Sequence, residues 1–461
     1  MGLLIKGGKL ITADSSCFAD IYCADQQISL IGRDLSVPPG TREIDATGKL
    51  VFPGFVDPHT HVFLPVGEQR ACDDYRSASR AALLGGTTCF IDFVSPTKHE
   101  EPLASLERWN NESNANSACD FSYHMTVSRC DAQAISQLRE IVADGITSFK
   151  VYLAYPGLYG LDDAELYAAL SLAKQLGVIT ACHCENETLL QQLQQRLIGE
   201  GKVEPKWHYH SRPPALEALG TCQLLTFAEL TGAHAYVVHC SCKEALDQAR
   251  IARARGVKCW VETVIQHYLL DRSYAERGGF QGAKYVMSPP LRDAPNQAEL
   301  WRALDYREVD TVATDHAPFS FATHKALGRE DFTKILNGLP GIQERIQLLY
   351  TYGVREGRID LHRMVDAAST RPARLFGLYP QKGTIQIGAD ADLVVFDAEY
   401  RSTLSATSQA SAADYCAYEG WTVYGRAESV TVRGQLVVED GEFVGRFGHG
   451  RLVRREPNHF D

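Results

Sequence analysis

The chain has 461 residues, 45% hydrophobic and 22% charged, with a formal net charge of −11. That is a globular composition with length for a large core, and the acidic balance without a Lys/Arg-rich run argues against a nucleic-acid surface. No apolar run reaches the roughly 18 residues of a membrane span, and the opening stretch "MGLLIKGGKLITADSS" carries neither a secretory nor a myristoylation pattern, so a cytoplasmic location is expected.

Residues 1–50 read as short strands and turns, "LLIKGGKLI", "DIYCADQQISLIG" and "TREIDATGKLVF". Residues 383–397, "GTIQIGADADLVVFD", and 428–440, "ESVTVRGQLVVED", have the same texture. The economical expectation is one β-sandwich domain built from both chain ends, over 1–52 and 380–440. Over 53–379, strand-length apolar runs alternate with amphipathic helices. The strand candidates are "VFPGFVDPHTH" (51–61), "TTCFIDF" (87–93), "DFSYHMTV" (120–127), "SFKVYLAY" (148–155), "VITACHCE" (178–185), "AYVVHCS" (235–241), "KCWVET" (258–263) and "VDTVATDHA" (309–317). Among the helices, "LDDAELYAALSLAKQLG" opens on an N-cap, Asp162, and stops at Gly177. Eight such alternations predict an α/β fold, a (β/α)8 TIM-like barrel that forms the catalytic domain. The tail, 441–461, is basic, Gly-rich and short of core residues, which reads as a disordered end.

Active sites of such barrels lie at the C-terminal ends of the strands. Strand one ends in His59 and His61, which share a face because alternate strand side chains do. Strand four carries Lys150 in an apolar run, strand five His183, strand six His239 and strand eight Asp315. A lone buried histidine is usually a hydrogen-bonded core residue. Possible metal ligands at five strand ends together point to a metal site. Asp57 shares the histidines' face at a deeper level, as a support or a ligand. His208, His210, His234, His324, His449 and His459 fall in helices, loops or the tail; His124 and His267 stay open. The thirteen cysteines include no CxxC pair and read as reduced thiols. Cys182, Cys184 and Cys240 face away from the neighbouring histidines and read as packing.

An ammonium in an apolar strand is costly unless paired or neutralised. A salt bridge is one remedy for Lys150. Reaction with CO₂ is another, giving a carbamate whose oxygens can bridge two metals about 3.5–4 Å apart. His59, His61 and Asp315 would then hold one metal, His183 and His239 the other, with Lys150 bridging. Nitrogen and hard oxygen ligands suit Zn²⁺, with Mn²⁺ or Co²⁺ as alternatives. The chemistry of such a pair is hydrolysis.

"GFVDPHTH", "SFKVYLAY", "CHCEN", "VVHCS", "SPPLR" and "ATDHAPF" resemble the cyclic amidohydrolases, specifically the dihydropyrimidinase and D-hydantoinase group of the amidohydrolase superfamily. The resemblance implies two zinc ions and an N6-carboxylated Lys150. It implies Asp315 as catalytic base and acid, Tyr155 as the donor to the oxyanion, and Ser288 and Asn337 as ring-recognising residues. The implied reaction opens 5-substituted hydantoins or dihydropyrimidines to N-carbamoyl amino acids, through a hydroxide held between the metals. A homotetramer or dimer is implied too, with the tail reaching a neighbouring subunit.

The chain departs from the family in places. "ETVIQHYL" stands where the group often has "ETCPQYL", so Ile265 and His267 replace Pro and Tyr, and "VFLPVGE" replaces an "LDMPFGG"-like run. Phe63, Leu64, Tyr152, Leu158 and Tyr159 read as the substituent pocket, whose apolar, aromatic lining favours arylhydantoins. The rivals are dihydropyrimidinase proper, allantoinase and dihydroorotase; the last usually has Arg where Phe63 stands. Non-catalytic interaction proteins of this fold have lost metal ligands that this chain keeps.

Overall fold

The apolar run over 51–61 forms two strands, not one. The structure, a computed structural model, describes residues 2–66 and 69–457. Leu50–Pro53 pairs antiparallel with Leu393–Thr403, Val51 opposite Val395, and so joins both ends of the chain in one sheet. Phe55–Thr60 turns away into the barrel. Gly54 sits at the break: its N–H donates to Asp392 O at 2.7 Å, and a Cβ there would meet Thr88 Oγ1 at 2.0 Å. Only glycine tolerates so close an approach.

The sheet that contains Leu50–Pro53 has seven strands, from Lys9–Ile11 to Glu442–Phe443. A second sheet of four strands comes from the N-terminal segment alone. Leu3, Ile5, Ile21 and Ile28 of that sheet pack on Val51, Leu393 and Val395 of the first, which makes the core of the sandwich.

The barrel strands are β1 (Phe55–Thr60), β2 (Thr87–Val94), β3 (Asp120–Thr126), β4 (Ser148–Tyr152), β5 (Ile179–His183), β6 (His234–Val237), β7 (Cys259–Val264) and β8 (Thr311–Ala313). Each runs parallel to its sequence neighbour. The ring closes where Thr60 bridges His316 and the His61 N–H donates to His316 O at 2.8 Å. Arg345, fully buried, donates to Val56 O and Val312 O at 3.0 Å each and to Thr87 Oγ1 at 3.0 Å, tying β1, β8 and β2 together. The helix Asp163–Leu176 is capped as its sequence predicts: Asp162 accepts the Glu165 N–H, and Gly177 ends it in left-handed backbone at φ 66°.

The described part of the tail corrects the expectation of a disordered end. The Phe121 N–H donates to Arg451 O at 3.1 Å, and the Val453 N–H to Phe121 O at 2.8 Å. Buried Arg455 donates to Phe376 O, Tyr123 O and Ser148 Oγ. The tail is thus sewn to β3 of its own chain by backbone hydrogen bonds to Phe121 and by the Arg455 side chain on Tyr123 O. His459 lies outside the described residues. Nearby, Lys382 Nζ pairs with Asp120, Asp390 and Asp392 at 2.6, 2.9 and 2.8 Å, and Arg433 also reaches Asp120. The three carboxylates converge as a metal site would, but the Lys382 ammonium already takes the place of a cation. Among the described residues no helix is long and apolar enough to cross a membrane.

Candidate active site

β1 delivers His59 and His61 to the C-terminal mouth of the barrel, and the turn after β8 delivers Asp315. Asp315 Oδ1 lies 3.1 Å from His59 Nε2 and 3.2 Å from His61 Nε2. His59 Nε2 nonetheless has no hydrogen-bond geometry to any described group. Ligand atoms that crowd together without bonding each other fit a common ion. His183 Nδ1, at the end of β5, lies 3.0 Å from His239 Nε2, two residues past β6. The His59 and His239 rings are 5.4 Å apart, so the two groups adjoin.

Lys150 stands on β4 with its Nζ 4.8 Å from the Phe93 ring and 5.0 Å from the Tyr152 ring. Among the described residues no carboxylate comes within salt-bridge distance of it, which removes the plain remedy of an ion pair. Burial pushes its ammonium down to about 8, against the pull of Asp315 and Glu262. Burial also opposes charge on His59, but Glu262 and Asp315 outweigh it and hold that ring up at about 9. At His61 burial wins and the ring falls to about 4. The pull of Glu262 and Asp315 on the His59 ring marks this as a place where the protein stabilises positive charge. The donor set of imidazole and carboxylate fits divalent metal ions.

Carboxylates behind the histidines set their tautomers. His59 Nδ1 donates to Glu262 Oε1 at 2.6 Å, which leaves Nε2 as the free lone pair. The same oxygen accepts the His239 N–H at 3.0 Å, and Tyr236 donates to the other at 2.8 Å. His183 Nε2 donates to Glu185 at 2.8 Å, and Arg212 clasps the same carboxylate. Burial would raise the Glu185 carboxyl, yet Arg212 and His183 hold it down at about 2. Arg292, of "SPPLR", holds the Arg212 carbonyl and pairs with Glu217 at 2.7 Å. Sequence reasoning missed Glu262. Its signal was the one that picked out Lys150, a charge inside an otherwise apolar strand.

Asp57 supports the site. It accepts Thr314 Oγ1–H at 2.6 Å and the His59 N–H at 3.3 Å, so its oxygens are taken. His124 bonds Ser148 Oγ and Pro58 O, and His267 bonds Pro289 O at 3.3 Å. All thirteen cysteines are free, and Cys182, Cys184 and Cys240 lie in the hydrophobic core.

Tyr155 lies three residues past β4, with φ 64°. His239 at φ 41° and Asp315 at φ 48° share the left-handed region. Backbone that costs energy persists where the surrounding structure holds it, often at functional sites. Burial pushes the Tyr155 phenol above its ordinary value, while Arg212, Ser288 and Asn337 pull it down from close by. Ser288 Oγ and Asn337 Oδ1 are buried without a hydrogen-bond partner.

A cavity of about 550 Å³ brings these groups together. Its lining includes His61, Lys150, His183, His239, Asp315, Tyr155, Ser288 and Asn337, with Leu64, Tyr152, Leu158 and Tyr159 as apolar wall. Arg108 and Glu100, paired at 2.7 Å, line it too and carried no signal in the sequence. Phe63 is the exception among the expected residues. Its ring packs edge-on to Trp109 at 5.2 Å and is not part of the lining, because the chain turns at Val62 and Phe63 and the strand alternation ends there.

The sequence profile of the amidohydrolase family matches residues 50–437. A D-hydantoinase of Geobacillus stearothermophilus is 42% identical over 456 residues, covering 99% of this chain and 97% of the relative. The solved D-hydantoinase (dihydropyrimidinase) from Thermus sp. is 55% identical with a TM-score of 0.97, covering 99% of each chain. The dihydropyrimidinase of Brevibacillus agri is 39% identical with a TM-score of 0.98, covering 100% of each. The chain belongs to the amidohydrolase family. Within that family it falls in the dihydropyrimidinase and D-hydantoinase group, a group of metal-dependent hydrolases with the barrel and sandwich described above.

Proposed function

We propose that the protein is a D-hydantoinase that opens 5-substituted hydantoins or dihydropyrimidines to N-carbamoyl amino acids, using two divalent metal ions. The observation that carries this reading is the adjacency of two ligand groups, His59–His61–Asp315 and His183–His239, around one cavity that His61, Asp315, His183, His239 and Lys150 line, with His59 buried behind it and Lys150 without a carboxylate partner among the described residues. His59, His61 and Asp315 would hold one ion and His183 and His239 the other. Lys150, as its carbamate, would serve both. Bound there, zinc (or manganese or cobalt) supplies Lewis acidity and brings the pKa of a coordinated water near neutrality.

The chain's own groups do the rest. Asp315 takes the proton of the attacking water and gives it to the ring nitrogen as the C–N bond breaks. The Tyr155 hydroxyl donates to the carbonyl oxygen as charge develops on it. Ser288 and Asn337, with polar atoms buried and unmatched, orient the ring. Leu64, Tyr152, Leu158 and Tyr159 take the 5-substituent, which favours an aryl group.

Dihydropyrimidinase activity proper is the second reading, supported by the Brevibacillus agri relative. A cytoplasmic location fits the thirteen free thiols, and a homotetramer or dimer follows from the family resemblance alone. Initial ring-opening rates for dihydrouracil, hydantoin, 5-phenylhydantoin, allantoin and dihydroorotate test the reading. Hydantoin or 5-phenylhydantoin should lead; a lead for dihydroorotate or allantoin would refute it.

A further inference from the structure

Ser288 and Asn337 come from two loops that share one buried lysine, Lys325, whose amine is held by burial well below its ordinary pKa. The Lys325 Nζ, with no exposed surface, donates to Val286 O and to Gly338 O, both at 2.7 Å. Val286 lies two residues before Ser288, and Gly338 directly follows Asn337. The Gly338 N–H also donates to Val286 O, at 3.1 Å. Gly338 has φ +148°, and a Cβ there would meet Ala317 O at 2.5 Å, so the loop has no room to be rebuilt with another residue.

The ties continue along the first loop. Met287 O accepts from His208 Nε2 at 2.8 Å, and Pro289 O accepts from His267 Nε2 at 3.3 Å. The carbonyls of Val286, Met287 and Pro289 are therefore engaged. Ser288 Oγ, among them, meets no partner in hydrogen-bond geometry among the described residues, and neither does Asn337 Oδ1, though both groups lie close to the Tyr155 phenol. Buried polar atoms are rarely left unmatched unless something else meets them, and both residues line the cavity. Among the described residues Lys325 has no carboxylate partner. A buried amine answered only by two carbonyls is a costly way to hold loops that an apolar side chain could pack.

We infer that Lys325, His208 and His267 form a positioning clamp, which fixes the backbone on both sides of Ser288 and beside Asn337 so that these two residues' polar groups stay free for the ring. The inference rests on the reading of Ser288 and Asn337 as ring-recognising.

The test uses the full-length, zinc-loaded protein and three variants, Lys325→Met, His267→Leu and His267→Gln. Steady-state kinetics on hydantoin and 5-phenylhydantoin are read beside metal content and the unfolding temperature. Lys325→Met should raise KM roughly 10- to 100-fold, the scale of two lost buried hydrogen bonds. Its kcat should change by less than about threefold, the signature of lost ground-state positioning, and its metal content should not change. His267→Leu should raise KM by a smaller factor, and His267→Gln, which keeps an N–H donor, should restore it. If Lys325→Met does not fold, the His267 pair decides. A merely structural role would lower the unfolding temperature and leave KM alone. An active parent whose folded variants keep KM, or whose variants lose metal, overturns the clamp. A parent that opens no cyclic amide overturns the functional reading, and the clamp with it.

Discussion

Glu262 Oε1 sits 2.6 Å from His59 Nδ1, a hydrogen bond between two wholly buried groups. The same oxygen accepts the His239 N–H. One carboxylate thereby orients a residue of each ligand group. Replacing it with an amide keeps the shape and removes the charge that fixes the His59 tautomer. Glu262→Gln should weaken metal affinity by roughly 10- to 100-fold, read by competition with a chelator. Unaltered affinity in a folded variant would contradict the role.

Lys150 separates the carbamate from an ordinary buried cation. Lys150→Arg keeps the positive charge and forms no carbamate. It should behave like Lys150→Ala, binding at most one metal ion per chain and losing activity by about a thousandfold, several kcal/mol of barrier. Metal analysis and single-turnover rates read this. Full activity and two ions in Lys150→Arg would disprove the bridging role.

Tyr155 is placed to act late, on charge that only develops in the transition state. Tyr155→Phe should lower kcat by roughly 10²- to 10³-fold, as loss of an oxyanion donor does, with KM near the parent value. A change in KM alone would make Tyr155 a ground-state binding residue and not an oxyanion donor.

The sites that were legible in the sequence were those whose chemistry clashes with a local pattern. His59 and His61 stand out because the period of two in β1 puts both on one face, and Lys150 because its neighbours are apolar. His239 and Tyr155 lie beyond their strand ends in left-handed backbone, with no glycine or asparagine at either position to announce it. Arg345 and Lys325 could not be found, because what they bond comes from distant or irregular segments. Phe63 reads as pocket lining from its aromatic character alone, but the turn at Val62 and Phe63 sends its ring to Trp109. The (β/α)8 order was plain from its alternation, but the division of 51–61 between two sheets hinged on Gly54, where the contact with Thr88 is a tertiary fact.

Lys382 is a structural counterpart with no part in the chemistry. Burial raises Asp120 and Asp392 alike; Lys382 and Arg433 outweigh it at Asp120, which falls below the ordinary carboxylate range, while Asp392 stays above it. Lys382→Met removes the cation shared by three carboxylates, leaving Asp120 with Arg433, Asp390 with Arg451 and Asp392 with no cation, and should destabilise the fold by about 3–5 kcal/mol. Their pKa values then rise in the folded state, so the folded variant holds protons that the unfolded chain releases. The deficit should be full near pH 8 and shrink as pH falls toward about 4. Urea unfolding at several pH values checks the sign; a deficit that grows on acidification would contradict it.

Titrating metal into chelator-stripped protein tests the central claim most directly. Hydantoin-opening activity should be absent at the start, rise with added zinc and level off at two ions per chain. Activity that survives without metal, or a plateau at one ion, would contradict the account.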